Sequence, residues 1–310
     1  MAFTAADVKK LREMTNVGMM DCKKALTEAD GDFDKAIEIL REKGLAKAAK
    51  KADRIAAEGV VCATVCGDCG VGAIIEVNSE TDFVAKNADF QQFVTDLAGV
   101  VMKEAPADVE ALKACKMGDL TVQEALQEKV LTIGENIQIR RFERFDDSTV
   151  NVAYNHMGGV IGVLVGLEVS DNLKDNATVK ELGKDIGMQA AAMNPSFLDK
   201  SDVDEATLAK EKEILLVQAL EENKNAAKPK PEQIIHKMVE GRIGKYYEEN
   251  CLLQQAFVKE NKVSVEQHIA AVAKELGGEI KLVKCVRFEK GEGIEKKQDD
   301  FAAEVASMAK

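Results

Sequence analysis

The chain has 310 residues, 46% of them hydrophobic, and its 54 acidic against 42 basic side chains give a formal net charge of −12. The length predicts about two domains with room for a small extra module. The acidic excess argues against broad contact with a nucleic-acid backbone, which needs clustered Lys and Arg. No apolar run approaches the roughly 20 residues that span a bilayer. The charged N-terminus lacks the apolar segment of a secretion signal, and the odd count of seven Cys favours reduced thiols in a cytoplasm over a disulfide framework.

The N-terminal segment carries apolar residues at helical spacing in three short stretches. Thr4 and Asp7 form a capping box for the first helix, and the third helix is expected to stop at Gly44. This pattern predicts a three-helix module over residues 1–45. The Ala- and Lys-rich segment 46–58 has no clear apolar stripe and is interpreted as a semi-rigid connector.

Two similar patterns of strand, tight turn and strand follow, the first beginning at Gly59 and the second near residue 149. Each second strand is apolar, contains Gly, ends in Glu-Val and leads into a helix. A further strand covers 137–145. We therefore predict an α+β fold whose core has two related antiparallel halves, over 59–136 and 137–290.

A long charged helix from about residue 204 to 225 is followed by a Pro-containing loop and a second helix. This pattern predicts an antiparallel helical hairpin inserted at about 197–249. A protruding hairpin needs cover for its apolar stripe, and a second copy of the chain is the simplest candidate. The C-terminal segment 291–310 ends in an amphipathic stretch that includes Met308.

Motifs that would indicate an enzyme are weak. There is no phosphate-binding loop, and the three His lie in unrelated contexts. Cys66 and Cys69 form a C-x-x-C at a hairpin tip, which fits a redox pair, half of a zinc knuckle or a plain turn. The plain turn is favoured, because a redox motif is expected to open a helix and a zinc site needs another ligand pair. The sequence therefore predicts no enzyme, no cofactor and no metal site.

The second helix starts with two adjacent Met. Met19 falls on the apolar face, whereas Met20 falls about 100° away, on a stripe with Lys23. Two adjacent Met at a helix start cannot both lie in the core. An apolar side chain on a basic face suits a protein contact, although a single exposed Met is also common.

Phe83 allows two interpretations. If one helix ran from Thr81 to Val101, Phe83 would share a face with Phe90 and would belong to the core. If Asn87 instead capped a new helix, residues 80–86 would form a separate turn and Phe83 would be free to point outward. The core interpretation is favoured by periodicity alone.

His156 ends a strand in which Val150, Val152 and Tyr154 alternate along the same face. A His at such a position is usually a strand-end residue whose hydrogen bonds are satisfied. Periodicity alone therefore assigns it no function.

Several long motifs in one order resemble the bacterial elongation factor Ts family, the guanine-nucleotide exchange factors of elongation factor Tu. They run from end to end of the chain: LREMTNVGMMDCKKALTEADGD, SETDFVAKN, IGENIQIRR, YNHMGGVIGVLV, KMVEGRIGKYY and RFEKGEGIEKKQDDFAAEVA. The resemblance implies an N-terminal ubiquitin-associated-like module, a two-part antiparallel α+β core, a protruding helical hairpin and a C-terminal helix.

The resemblance also implies which residues contact elongation factor Tu, and it overturns the core interpretation of Phe83. Residues expected to meet the partner's nucleotide-binding domain are Arg12, Met19, Met20, Lys23 and, from the C-terminal helix, Met308. Residues expected to disturb its magnesium site are Thr81, Asp82, Phe83 and Val84. The remaining core contacts are Ile133, Gly134 and His156, of which His156 would face the partner's third domain.

The implied function is release of GDP from elongation factor Tu, and we expect a homodimer through the hairpin and no direct nucleic-acid or membrane contact. Val160 departs from the Arg that is usual in the family, which leaves a salt bridge at that corner unsupported. The alternative is a non-catalytic dimeric scaffold or holdase that binds through the N-terminal module. A thiol enzyme that uses Cys66 and Cys69 is a further alternative.

Overall fold

The computed structural model describes residues 3–15, 17–51, 53–225 and 229–295. Its first three helices pack together as an N-terminal module around a small core that includes Leu11, Leu26 and Leu40. The module contains α1 Ala5–Thr15, α2 Met19–Glu28 and α3 Phe33–Lys51. The expected capping box is present, since the Thr4 backbone N–H donates to Asp7 Oδ2 (2.7 Å) and the Asp7 N–H donates to Thr4 Oγ1 (3.4 Å).

The predicted end of α3 at Gly44 is wrong, because the helix continues through Gly44 to Lys51. A glycine inside a helix costs up to about 1 kcal/mol relative to alanine. Here it allows close packing, since a Cβ at Gly44 would lie 3.4 Å from the Leu131 side chain of a later helix. The first part of the expected connector is therefore helical.

The first half of the core is a three-stranded antiparallel sheet in the order β1-β2-β5, covered by helices. Phe90, Leu97 and Leu112 are among the largest fully buried side chains of this layer. Its elements are β1 Glu58–Val65, β2 Gly72–Ser79, α4 Asp82–Ala85, α5 Ala88–Glu104, α6 Val109–Ala114, β3 Lys116–Met117, β4 Leu120–Thr121, α7 Val122–Ile133 and β5 Gln138–Phe145.

The second half has the same plan, with a three-stranded antiparallel sheet in the order β10-β7-β6. Its helices cover a separate core that includes Leu167, Ile186 and Leu252. Its elements are β6 Val150–His156, β7 Ile161–Val169, α8 Ala177–Met193, α9 Glu205–Lys224, α10 Glu232–Asn250, β8 Ala256–Phe257, β9 Glu260–Ser264, α11 Val265–Leu276 and β10 Ile280–Glu289. Two short 3-10 turns lie at Asp171–Leu173 and Lys200–Asp202.

The two halves correspond more closely than the sequence indicated. In each, a hairpin leads into a long helix, and a short two-stranded hairpin leads into a helix with a capping box, begun by Thr121 in α7 and Ser264 in α11. Each of these helices ends at a left-handed Gly, Gly134 or Gly277, and a last strand then joins the sheet. The expected α+β class with antiparallel strands is confirmed.

Strand β5 was assigned to the second half by the sequence, yet it pairs with β2 of the first sheet. We therefore propose that the boundary between the halves lies in the turn 146–149, after β5, rather than at 136–137. The two sheets meet through a small shared cluster that includes Val61, Ile74 and Leu164. Asn155 of β6 also bonds both the N–H and the carbonyl of Ala63 on β1 (2.8 Å each).

Helices α9 and α10 form the predicted helical hairpin. Asp204 caps α9 by accepting from the Thr207 N–H (2.9 Å). Ala219 and Ile235 are buried between the helices, and Arg242 of α10 pairs with Glu222 of α9 (2.5 Å). In the described parts of the chain, the helices are all too short or too polar to cross a membrane.

Candidate partner-binding site

The segment between β2 and α5 forms a separate turn, as the Asn87 cap indicated. Its single helical turn, α4, starts at Thr81, whose side chain accepts from the Val84 N–H (3.5 Å). Asn87 then starts α5 by accepting from the N–H groups of Asp89 (2.8 Å) and Phe90 (3.2 Å). Because these caps interrupt the helix, Phe83 and Phe90 do not share one helical face. We call residues 80–86 the Phe83 turn.

The Phe83 side chain is 82% exposed, the highest value among the large hydrophobic residues that the structure describes. Its neighbours are less accessible, since Val84 is half-buried and Ala85 is buried. The interpretation of Phe83 as a core residue is therefore wrong. Burying such a side chain would stabilise the chain by about 1.5–3 kcal/mol, so leaving it in water forgoes that gain.

Asp82 lies beside Phe83 and is one of two acidic residues in the turn, the other being Glu80. Lys86 donates to Asp82 Oδ2 (2.6 Å). This hydrogen bond, with the attraction of the same ammonium group, lowers the pKa of Asp82 and raises the pKa of Lys86. Asp82 is therefore fully ionised at neutral pH. A partner that uses this carboxylate must compete with Lys86 for it.

A carboxylate from another element fixes the base of the Phe83 turn. Glu135, just after α7, accepts the Thr81 hydroxyl at Oε1 (2.6 Å) and the N–H groups of Glu80 and Thr81 at Oε2 (3.0 Å each). In return, Glu80 Oε1 accepts from the Asn136 N–H (2.6 Å). Sequence reasoning missed Glu80 and Glu135, whose only signal was their place inside the family motifs.

Ile133 and Gly134 lie immediately before this carboxylate. Gly134 ends α7 with φ +86°, a left-handed conformation that favours glycine, and its carbonyl accepts from the Lys51 ammonium of α3. Ile133 is half-buried and packs against the first core. The end of α7 thus meets both the Phe83 turn and the end of the N-terminal module.

A groove of about 780 Å³ runs alongside Phe83. Thr15 of the N-terminal module and Ile133 of α7 line it together with Phe83. Its other lining residues combine apolar and polar side chains: Val84, Asn87, Asp89, Gln92, Phe93, Asp96, Met117, Leu120, Ala125, Glu128, Lys129 and Thr132. The structure therefore brings Phe83, Val84 and Ile133 to one concave surface. This surface lies beside the N-terminal module, which carries Met19 and Met20, two of the predicted partner contacts.

The corner between α1 and α2 exposes several Met side chains. Met20 is 64% exposed, in line with its expected outward position, but Met19 is also 47% exposed and does not join the core. Met19 is the first residue of α2, so no preceding turn of that helix covers it. Arg12 and Lys23 are exposed as well. This corner therefore offers flexible apolar side chains beside positive charges.

Contacts between α3 and α7 hold the N-terminal module against the first half of the core. Gly44 packs against Leu131, and Arg41 lies 3.7 Å from Glu128. A second cavity, of about 420 Å³, lies along this contact, and Thr15 lines it as well as the first groove. The position of the Met corner relative to Phe83 is thus set by packing between these two helices.

His156 lies at the end of β6, outside the residues that line the groove. The Tyr154 hydroxyl is 3.1 Å from His156 Nδ1, and the two rings stack with centroids 6.0 Å apart. The next residue, Met157, is 72% exposed and has φ +49°. Val160, at the far side of this turn, accepts from the Lys290 N–H (2.9 Å) through its carbonyl. His156 and Met157 therefore present a second surface, separate from the Phe83 groove.

A buried carboxylate on β2 ties the C-terminal end of the described chain to the first sheet. Glu76 is fully buried and faces a bulge in β5, which lets Arg140 (3.0 Å) and Arg141 (2.6 Å) both reach it. The Gly291 N–H donates to the same carboxylate (2.8 Å). Gly291 has φ +68°, and a Cβ there would lie 2.1 Å from the Ala57 carbonyl.

Comparison with known proteins assigns the chain to one family. The family described as "Elongation factor TS" matches residues 80–292. "Elongation factor Ts" of Syntrophotalea carbinolica is 50% identical over the full length of both chains. The proteins of the same name from Clostridium kluyveri and Clostridium perfringens are each 52% identical, over 97% and 98% of both chains.

The chain belongs to the elongation factor Ts family. Membership makes it an elongation factor of protein biosynthesis and confirms the resemblance expected from the motifs. The family match begins at Glu80 and so includes the whole Phe83 turn, Glu135, His156 and the helical hairpin. The similar full-length elongation factors Ts extend the likeness over the N-terminal module. Met308 and most of the predicted C-terminal helix lie outside the described residues.

Proposed function

We propose that the chain binds GDP-bound elongation factor Tu and promotes release of GDP by disturbing its magnesium and phosphate site, so that GTP can bind. The observation that carries this proposal is the almost fully exposed Phe83 on a turn fixed by Glu135, in a chain of the elongation factor Ts family. Family membership indicates elongation factor Tu as the partner. The exposure of Phe83 indicates that the Phe83 turn is the element that would act on it.

Such a function requires no bond-making chemistry. A GTPase holds GDP through its phosphate-binding loop and through a magnesium ion that bridges phosphate and protein oxygens. An exchange factor needs only to bind the nucleotide-free state more tightly than the GDP-bound state. Linkage makes this effect reciprocal. The factor by which the exchange factor lowers the affinity of the GTPase for GDP equals the factor by which GDP lowers the affinity of the GTPase for the exchange factor. The chain is therefore proposed to act as a binding protein and not as an enzyme.

The Phe83 turn is suited to act as a wedge. Its base is already ordered by the three hydrogen bonds that Glu135 accepts, so little conformational entropy is lost when it enters a partner. Phe83 would insert between structural elements that flank the magnesium site, while Asp82 would perturb polar contacts there. Ion and diphosphate contacts would then loosen together, which raises the rate of GDP dissociation.

The remaining predicted contacts would supply binding energy without distinguishing the nucleotide states. The exposed Met20 and Lys23 face would dock on the nucleotide-binding domain, together with Arg12, Met19 and the C-terminal Met308. Ile133 and Gly134 would extend the contact along the groove. His156, on its separate surface, would face the third domain of the partner. This division assigns the rate effect to Phe83 and the affinity to the dispersed contacts.

We also propose that the helical hairpin forms a homodimer. The outer face of α9, turned away from α10, carries Ile214, Val217 and Leu220, which are 42%, 61% and 39% exposed. They follow one another at intervals of three residues and so form one stripe. Pairing with the same stripe of a second copy would cover these side chains in a symmetric interface.

The test is the release of a fluorescent GDP analogue from purified elongation factor Tu, with excess unlabelled GDP, at rising concentrations of the chain. Wild type should accelerate release strongly. Phe83→Ala should lower the maximal rate at least about tenfold, which corresponds to roughly 1.4 kcal/mol, with a smaller loss of affinity. Met20→Ala should require a higher concentration to reach a nearly unchanged maximal rate.

Met193→Ala is the matched control, because Met193 is also an exposed hydrophobic residue (47%) but lies at the end of α8. It should behave as wild type. Proportional losses of rate and affinity in both Phe83→Ala and Met20→Ala would contradict the proposal that Phe83 determines the rate and the dispersed contacts determine the affinity. No acceleration by saturating, folded wild type would refute the exchange function and favour the scaffold or holdase.

A further inference from the structure

The tip of the β1–β2 hairpin carries two thiols in one closed turn. The Gly70 N–H donates to the Cys66 carbonyl (3.1 Å), and the Cys66 N–H donates to the Val71 carbonyl (2.8 Å). Residues 66–70 therefore form a single α-turn at the end of the strand pair. Side chains three residues apart in such a turn lie on the same side, with Cβ atoms about 5–6 Å apart. Cys66 and Cys69 thus face each other.

The turn is anchored but has room to adjust. Asn151 of the second sheet donates to the Gly70 carbonyl (2.9 Å), which fixes the C-terminal end of the turn. Gly67, between the two Cys, has no atom within 4 Å of the position that a Cβ would take. Cys69 is exposed and Cys66 is half-buried. A small soluble reagent can therefore reach the pair, and the turn can tighten without a clash at Gly67.

The tip thiols differ from the other cysteines in the exposure of Cys69 and in the lowered pKa of Cys66, which is itself half-buried. The other five are buried or half-buried: Cys22, Cys62, Cys115, Cys251 and Cys285. Burial raises the pKa of four of them: Cys22, Cys62, Cys251 and Cys285. At the tip, a hydrogen bond from the Cys69 thiol and others from the backbone N–H groups of Cys69 and Asp68 lower the pKa of Cys66. Because the thiolate is the reactive form, reaction should concentrate at Cys66.

We propose that Cys66 and Cys69 form a surface dithiol that low-molecular-weight disulfides, such as oxidised glutathione, convert reversibly to an intramolecular disulfide. The Cys66 thiolate attacks one sulfur of the reagent, whose S–S bond breaks and releases one thiolate. The Cys69 thiolate then attacks the Cys66 sulfur of the mixed disulfide and displaces the second thiolate. Two protein thiols lose two protons and two electrons, and the reagent is reduced to two thiols.

This site is separate from the surface proposed to act on elongation factor Tu. Strand β2 runs from Gly72, beside the tip, to Ser79, beside the Phe83 turn. Seven residue steps along an antiparallel strand span about 24 Å. The inference therefore does not depend on the proposed exchange function, and the two are tested by different measurements.

The test treats the reduced full-length chain with limiting oxidised glutathione, quenches with acid, alkylates the remaining thiols and maps the peptides by mass spectrometry. The expected product is a Cys66–Cys69 disulfide, formed at least about tenfold faster than modification of any other cysteine. Dithiothreitol should restore the free thiols. Cys69→Ser should stop at a single glutathione adduct on Cys66, because the displacing thiol is absent.

Cys62→Ser is the matched control, since Cys62 lies on the same hairpin but is half-buried with a raised pKa. It should leave the yield of the Cys66–Cys69 disulfide unchanged. Separate adducts on Cys66 and Cys69 without a bond between them would overturn the proposal. So would equal modification of Cys62 or Cys115, or an unreactive tip in a chain whose urea-unfolded form does react.

Discussion

The hydroxyl of Thr81 donates a 2.6 Å hydrogen bond to Oε1 of Glu135, which follows directly after the left-handed Gly134 that ends α7. The residue that caps the Phe83 turn is therefore fixed by a helix end far away in the sequence. Lys51, at the end of α3, reaches the Gly134 carbonyl from the other side. The end of α7 is thus the point at which the Phe83 turn and the N-terminal module are positioned relative to each other.

Replacing Glu135 by Ala should lower the maximal rate of GDP release about tenfold while Phe83 itself remains present. The substitution removes three accepted hydrogen bonds and leaves the N–H groups of Glu80 and Thr81 without that partner. Ordering the turn would then oppose its insertion into the partner. The free energy of unfolding should fall by about 1–3 kcal/mol. Nucleotide-release kinetics and denaturant unfolding measure the two effects.

Glu110→Ala provides the comparison, because Glu110 is an exposed acidic residue of α6 whose side chain pairs only locally with Lys113 in the structure (2.7 Å). It should change neither quantity appreciably. Equal exchange rates for Glu135→Ala and Glu110→Ala would show that the carboxylate is not needed to present Phe83.

The pKa of Asp82 should lie below its ordinary value of 3.8 in the wild type and rise toward it in Lys86→Met. The reason is the 2.6 Å hydrogen bond from Lys86, which favours the ionised carboxylate. A lowered carboxyl pKa contributes stability that is present above the unfolded value and is lost as pH falls through the folded value. Near neutral pH, titration of Asp82 should therefore have no effect on exchange.

Carboxyl resonances followed by NMR during an acid titration give the two midpoints. Asp147, whose own pKa is lowered by Lys284, serves as an internal reference that Lys86→Met should leave unchanged. An Asp82 midpoint that does not move in the variant would mean that the pair does not persist in solution.

Glu76→Gln should lower the free energy of unfolding by about 3–5 kcal/mol, because it leaves Arg140 and Arg141 beside a neutral group in a largely buried site. Glu289→Gln removes a more exposed partner of Arg287 and should cost less than about 1 kcal/mol. Guanidinium chloride unfolding distinguishes these magnitudes. Similar losses in the free energy of unfolding for the two variants would indicate that water solvates Arg140 and Arg141 when the Glu76 charge is removed.

Val217→Glu should dissociate the proposed homodimer, because it places a charge in the centre of the exposed stripe on α9. Gln218→Glu adds the same charge at the neighbouring exposed position, outside the stripe, and should leave association unchanged. Sedimentation equilibrium over a range of concentrations measures the self-association of each variant. A wild-type chain that stays monomeric at the highest concentration would rule out the dimer.

Features set by neighbouring residues were predictable from the sequence. The Thr4 capping box and the Asn87 cap each involve side chains within three residues of the N–H groups that they bind. The alternation of Val150, Val152 and Tyr154 likewise identified β6 before its partner strand was known. The α+β class and the helical hairpin follow from such local patterns.

Features set by distant contacts were not predictable. Gly44 signals a helix end, but its packing against Leu131 allows the helix to continue. Glu76 and Glu135 are two among 54 acidic residues, and only the folded chain brings them to Arg140 and Thr81. Phe83 fits a helical core position by spacing, and the resemblance to a family, not periodicity, gave its exposure correctly.

The ends of the helical hairpin are hydrogen-bonded neighbours: the Ser196 and Phe197 N–H groups donate to the Asn250 carbonyl (2.9 and 3.1 Å), and the Leu252 N–H donates to the Phe197 carbonyl (2.9 Å). The two chain segments that join the helical hairpin to the core are therefore held together at its base, independently of the length of the hairpin. Doubling the length of a closed loop adds only about 0.6 kcal/mol of entropic cost. Evolution can thus lengthen, shorten or exchange this arm while the surfaces around Phe83 and His156 keep their geometry.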